Sequence, residues 1–276
     1  MSSTEQMQKK ISLNNQIGLI GLLLCAFSSP LMMILNIEAI ILKFVNVSNT
    51  DIGWIGTYES FSISISSIIF SRLVNKLNRK KVFFTGAMLV TIGNLLTIFA
   101  ADYNFIIISR IIAALGAGAI IANVIATIAR GSNGQMTFAL LNSGVGAMGV
   151  LLPFLLNIII ASNGIDGSYT LIGSERAYSI DAMEGTYSLH FLISLFTLFF
   201  LYLIKIENPQ NDNIDSEESY KGLSGWIAMF GTSLLFLAHA GLMLFAGRIG
   251  ASLGIPITQI TYILMVGGVL TIFGPL

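Results

Sequence analysis

Charge is scarce in this chain: of its 276 residues only 10% are charged, while 54% are apolar. That leaves too little polar surface to coat a water-soluble globule of this size, which puts the chain in a membrane class. Basic and acidic residues balance to a formal net charge of +0, so there is no global basic field to hold nucleic acid. The one cysteine, Cys25, lies in an apolar run. An intrachain disulfide and a cysteine metal cluster are therefore excluded, and a small packed side chain is the expected role. His190 and His239 are the only histidines. With no histidine-glutamate zinc motif, no paired intramembrane aspartates and no serine nucleophile beside a histidine base, no enzyme, cofactor or metal is expected.

What the chain has in abundance is hydrocarbon. A bilayer core about 30 Å thick needs roughly 20 apolar residues per helix. Such runs lie near Ile17 to Ala39, Ile52 to Ser71, Val82 to Ala100, Phe105 to Ala129, Phe138 to Ala161, Tyr187 to Ile206 and Leu223 to Gly247, and another begins near Thr258. The polar stretch Met1 to Asn15 precedes a run too long for a signal-peptide core, so the first span is retained. Phe61 to Ser66 alternates apolar residues with serine, the period of a half-buried strand. A helix is expected there all the same, because a lone strand in lipid would leave its backbone groups unpaired.

With the amino terminus inside, Lys9, Lys10, Arg72, Lys76, Arg79, Lys80, Lys81, Arg130, Lys205 and Lys221 fall on the cytoplasmic side. Only Lys43, Arg176 and Arg248 fall outside. This bias predicts an inner (plasma) membrane protein with a cytoplasmic amino terminus. Glu207 to Lys221 sets acids among asparagine, serine and proline and reads as a solvated linker. The expected layout is a six-helix bundle over 1–206, a polar cytoplasmic linker over 207–222 and the first two helices of an incomplete second bundle over 223–276. The outer connection Asn163 to Glu184 reads as a small lid or a disordered loop.

Between the second and third spans the chain reads Ser71-Arg72-Leu73-Val74-Asn75-Lys76-Leu77-Asn78-Arg79-Lys80-Lys81-Val82. This resembles the signature loop of the major facilitator superfamily, in which glycine, any residue, leucine, alanine, aspartate, arginine, any residue and glycine precede two or three basic residues. Leu73, Lys76, Arg79, Lys80 and Lys81 fit that pattern. Ser71 and Asn78 replace glycines, and Asn75 replaces the aspartate that in the family helps latch two halves together by charge. Asn75 can accept hydrogen bonds but supplies no charge. Basic residues in such a loop also follow from the positive-inside rule alone.

A second match is Ser109-Arg110-Ile111-Ile112-Ala113-Ala114-Leu115-Gly116-Ala117-Gly118-Ala119, which resembles the family's fourth-helix motif. Gly116 and Gly118 stand where glycines are expected, and Ala114 replaces another. Small residues let helices approach closely, while an arginine in hydrocarbon needs a partner or a wet cavity. The resemblance implies an all-α membrane protein whose two six-helix halves rock around a midplane site. It implies movement of a small solute by alternating access, with proton coupling as the expected mode. The expected partners are the lipid bilayer, a small-molecule solute and a proton. The chain ends at Gly274-Pro275-Leu276 inside the eighth apolar run, so a missing C-terminal half is expected, from a fragment or a truncated gene, and no transport is expected of this chain alone.

In the fifth span, Gly144-Val145-Gly146-Ala147-Met148-Gly149 matches the dinucleotide fingerprint by letters. No strand precedes it and no acidic ribose partner follows, so a nucleotide is rejected. On a helix, Asn142, Gly146, Gly149, Pro153 and Asn157 share a face suited to close packing and to a bend beside a central cavity. The family's efflux members carry a glycine-proline pair in this helix; Val150 follows Gly149 here, which speaks against drug export.

Glu59 lies roughly 10 Å into the second span and Arg110 roughly 8 Å into the fourth, both from the outer side. They are expected to face one cavity, Glu59 binding a proton or a cationic group of the solute and Arg110 tuning its pKa. The same depths also suit an interfacial carboxylate and a snorkelling arginine. Asn36, Asn94, Asn123 and Asn142 suit solute contacts or interhelical bonds. His239 suits a proton relay, and a lone buried histidine such as His190 is more often a hydrogen-bonded packing residue. Glu59, Arg110, Asn36, Asn142 and His239 form the expected transport set. A structural or assembly membrane protein is the competing class, and it would need no buried acid.

Overall fold

A computed structural model describes residues 10–44, 47–74, 76–162, 181–205, 245–247, 249–250 and 252–274. No strand occurs among the described residues. The helices are α1 (Leu13–Leu31), α2 (Met33–Lys43), α3 (Asn49–Leu73), α4 (Arg79–Ile98), α5 (Tyr103–Ala129), α6 (Gly134–Ser162), α7 (Ala182–Leu203) and α8 (Ile257–Phe273). Asn75, His239, the outer connection at 163–180 and the linker at 207–222 lie outside the described residues.

Several helices start before the apolar run that betrays them. Ser48, Asn78, Asp102 and Asp181 are N-caps, each side chain accepting the backbone N–H three residues on. A cap satisfies donors that the first turn leaves open, so polar first-turn residues join the helix although they add no hydropathy. The first span, expected near Ile17 to Ala39, is broken into two helices. α1 and α2 meet at a 47° bend, because Pro30 in the last turn of α1 brings no N–H and its ring crowds the turn before it. At the break, Met32 N–H bonds Ser29 O at 3.0 Å.

α4, α5, α6 and α7 are each long and apolar enough to cross a bilayer, and α1 with α2 qualifies as one bent span. α3 has the length, at 25 residues, but its serines and Glu59 dilute its hydropathy. Its alternating stretch is helical, as expected. Ile52, Ile55, Gly56, Glu59, Ser62 and Ser66 are its buried positions, and their recurrence every three to four residues belongs to a helix and not to a strand. The serines cost little because their hydroxyls find carbonyls: Ser66 Oγ donates to Leu115 O at 2.6 Å and Ser67 Oγ to Gly118 O at 3.1 Å, both across to α5.

α5 is the hub, packed against α3, α4 and α1, while α7 lies against α1 and α4. One apolar cluster, with Leu19, Phe83, Val90, Ile120 and Val124, fills the half of the bundle nearer the amino terminus. Two others fill the far half, one around Leu35, Leu152 and Leu156 and one around Ile40, Ile106 and Tyr187. Between α5 and its neighbours the backbones nearly touch. A Cβ on Gly116 would fall 2.5 Å from Gly86 O in α4, and one on Gly118 would run into Ile63 O in α3. α6 packs along α8, where a Cβ on Gly146 would fall 2.6 Å from the Ile272 nitrogen and one on Gly149 would fall 3.3 Å from Gly268 Cα. Ser143 Oγ donates to Ile272 O at 2.9 Å on the same seam. The glycine face of α6, expected beside a cavity, is thus covered by another helix, and Pro153 is buried.

Gly116→Ala and Gly118→Ala should each destabilise the bundle by about 1–3 kcal/mol, since the added methyl meets backbone that cannot step aside. Gly267→Ala in α8 meets nothing within 4 Å and should be neutral or stabilise by up to about 1 kcal/mol. Thermal unfolding of the detergent-purified variants checks both signs.

Candidate functional site

Arg110 sits on the inner face of α5 with 1% of its surface exposed, and Glu59 on α3 with 3%. The structure joins them directly. Arg110 Nη2 donates to Glu59 Oε1 at 2.6 Å and Nε to Oε2 at 3.3 Å, a two-pronged pair that uses both carboxylate oxygens. Two further donors are also placed: Nη1 to Asn94 Oδ1 at 2.8 Å on α4, and Nη2 to Ser29 Oγ at 2.8 Å on α1. The Tyr187 ring of α7 lies under the guanidinium, 5.1 Å from its centroid, which adds cation–π attraction. A charge taken into a water-poor interior is tolerable only when it is paired and its other donors are satisfied.

The helix break supplies the next part. Asn36, just past the bend, turns its amide back and donates to Ser29 O at 2.9 Å and Ser29 Oγ at 3.1 Å. It thereby gives the carbonyl at the bend a second donor beside Met32 N–H. Its other end, Oδ1, lies 2.8 Å from His190 Nε2. Since Oδ1 only accepts, Nε2 carries the proton, and in the neutral ring Nδ1 accepts from Ser28 Oγ at 3.3 Å. Asn94 Nδ2 closes the circuit by donating to His190 O at 3.4 Å. Five spans therefore meet in one buried polar network.

The expected site residues divide. Glu59, Arg110 and Asn36 come together, whereas Asn142 lies on the exposed side of α6, outside the network, and His239 falls outside the described residues. Asn94, which the sequence left between two roles, is a direct ligand of Arg110. His190, Ser29 and Tyr187 join the site without any motif that announces them. Their signal is positional, a polar side chain in an apolar run at the depth of Arg110. Among the described residues the pair is closely packed, with Ser28, Ser29, Asn36, Asn94 and His190 all at most 2% exposed. In the basic loop, Lys76, Lys80 and Lys81 are exposed and Leu73 half-buried, but Arg79 is buried.

A family model described as Major Facilitator Superfamily matches residues 18–276. The chain belongs to the major facilitator superfamily. It is a multi-pass membrane protein, and the buried arginine of its fourth span lies in the stretch that resembles the superfamily's fourth-helix motif. Among curated proteins this superfamily chain is similar to the MFS efflux transporter inpD of Emericella nidulans, with 30% identity over 124 residues. The match takes in 45% of this chain and 24% of that relative, so it spans about a quarter of the relative's length.

Removing one partner strands the other in the interior. Glu59→Leu should cost about 3–5 kcal/mol, and the double variant Glu59→Leu/Arg110→Met should recover a good part of that loss. A double-mutant cycle read by thermal unfolding would show the coupling; additive losses would mean the two side chains do not depend on each other.

Proposed function

We propose that this chain is the first half and the start of the second half of a transporter that, when completed by a second bundle, moves a small solute across the inner (plasma) membrane by alternating access, coupled to protons, with Glu59 as the proton-binding group and Arg110 as its counter-charge. The observation that carries this reading is the two-pronged Glu59–Arg110 pair inside a network drawn from five spans. A proton on Glu59 cancels the charge and takes one oxygen out of service as an acceptor. Arg110 is then a buried cation without a counter-charge, which disfavours the sealed arrangement. The state that relieves this is one in which Arg110 reaches water or an anionic group of the solute. Proton binding and opening are thus the same equilibrium seen from two sites, and each drives the other by reciprocal linkage.

In this reading the spans over 1–206 form one rocking half, joined by the polar linker at 207–222 to a second. The amino terminus is cytoplasmic, as the basic residues gathered at that end favour. Asn36 and His190 hold Ser29 and the bend of the first span in register, so the same proton that frees Arg110 also loosens the bent helix.

Cys25, the single cysteine, is 8% exposed and lies one helical turn before Ser29, which makes it a built-in reporter of opening. At one fixed pH in proteoliposomes, Glu59→Gln, which copies the protonated acid, should react with a small maleimide severalfold faster at Cys25 than the wild type does. In a version completed by a second bundle, an imposed proton gradient should drive flux of at least one member of a broad solute panel, and Glu59→Gln should lose that dependence. Equal labelling together with unchanged proton-driven flux would remove Glu59 from the coupling.

A further inference from the structure

The guanidinium of Arg110 has two kinds of partner. Its Nε–Nη2 edge is turned to a carboxylate, that of Glu59. Its other contacts are neutral: the Asn94 amide oxygen from α4, the Ser29 hydroxyl from α1 and the face of the Tyr187 ring from α7. A proton on Glu59 weakens the first kind and leaves the second in place. The ring is itself fixed, 1% exposed in a cluster with Ile40, Ile55, Ile106 and Met183 and tilted against the His190 ring at 5.8 Å between centroids. His190 is held in turn by Asn36 and Ser28. Arg110 therefore has a seat that does not depend on Glu59, and the edge it turns to Glu59 is shaped for a planar anion with two oxygens.

Charge decides what can fill that edge. Of the side chains joined in the network, Glu59 and Arg110 are the charged pair, and they sum to zero. The apolar runs Leu223 to Gly247 and from Thr258 onward contain no Asp, Glu, Lys or Arg. A water-poor interior closes readily around neutral contents and at high cost around a net charge. One proton on Glu59 together with one carboxylate on Arg110 is again neutral. A cationic solute on Glu59 is not, because Arg110 stays beside it as a like charge, and a phosphate dianion overshoots in the other direction.

We infer that the solute is a monocarboxylate, whose carboxylate takes the two-pronged place on Arg110 that protonated Glu59 gives up, one proton entering with each solute. This rests on the proton-coupled reading above and adds to it the chemical class of the solute. The apolar side chains around the Tyr187 ring favour a hydrocarbon body behind the carboxylate. Every residue that the site uses lies in the first bundle, so its test needs no second one.

The full chain in neutral detergent would be titrated with butyrate and benzoate, and with butyramide and butylamine as the neutral and cationic matches, between about pH 6 and 8, where simple carboxylates are ionised. Wild type should take up one proton per butyrate or benzoate bound, and its apparent affinity should rise about tenfold for each unit fall in pH. Glu59→Gln, which is already neutral, should bind both with no proton uptake and no pH dependence, and more tightly than wild type at about pH 8. Either anion should also raise the melting temperature of Glu59→Gln, while butyramide and butylamine leave it where it was. Arg110→Lys, which keeps the charge but not the fork, should bind about tenfold or more weakly. Binding of butylamine in place of butyrate overturns the inference, as does carboxylate binding to wild type without proton uptake or a Glu59→Gln variant that neither anion binds. If Glu59→Gln still exposes Cys25 to maleimide in that event, the proton-coupled reading stands without the carboxylate; if it does not, both fall.

Discussion

A carboxylate and a guanidinium that share two hydrogen bonds in a water-poor interior hold this bundle to one arrangement. Glu59 alone on α3, or Arg110 alone on α5, would be an expensive buried charge. Together they fasten two spans, and the guanidinium's leftover donors reach two more through Asn94 and Ser29. A partner for each guanidinium nitrogen leaves few alternative packings. A helix that slides or rotates must give up a charged hydrogen bond before it gains anything in return.

The network can be dry because the backbones around it lie so close. Gly86, Gly116 and Gly118 let α4, α5 and α3 approach until carbonyls stand where a Cβ would be, and the serines of α3 feed their hydroxyls into those carbonyls. The bend at Pro30 works in the opposite sense, by opening the backbone of the first span. Asn36 turns that defect into a connection, since the amide that repairs Ser29 also reaches His190. Close packing and a deliberate break thus cooperate, one excluding water and the other exposing polar groups to be used.

Charge is distributed unevenly along the bundle. At the far end, acids and bases meet: Lys43 bridges Asp181 and Glu184 at 2.9 Å each, tying α2 to α7. At the amino-terminal end, asparagines do the tying instead. Asn15 brackets the backbone of Lys205 and Asn133 that of Ile11, each giving and accepting a hydrogen bond. Among the described residues, that end is held by neutral groups and its charged side chains are basic.

Some of this was legible in the residues alone. Apolar runs of bilayer length located the helices, and the cost of unpaired backbone in lipid overruled the alternation at Phe61 to Ser66. The depths of Glu59 and Arg110 put them at one level, and the glycines at 116 and 118 announced close contacts. Composition and spacing are local properties, and each of these readings needs only one segment at a time. The choice between wet and buried, and between solute contact and interhelical bond, depended on which helix faces lie together. Asn94 and His190 became parts of the network and Asn142 did not, although all three are polar residues in apolar spans. That separation is set by the rotation of each helix about its axis and by a 47° bend, quantities that arise only when five spans pack against one another.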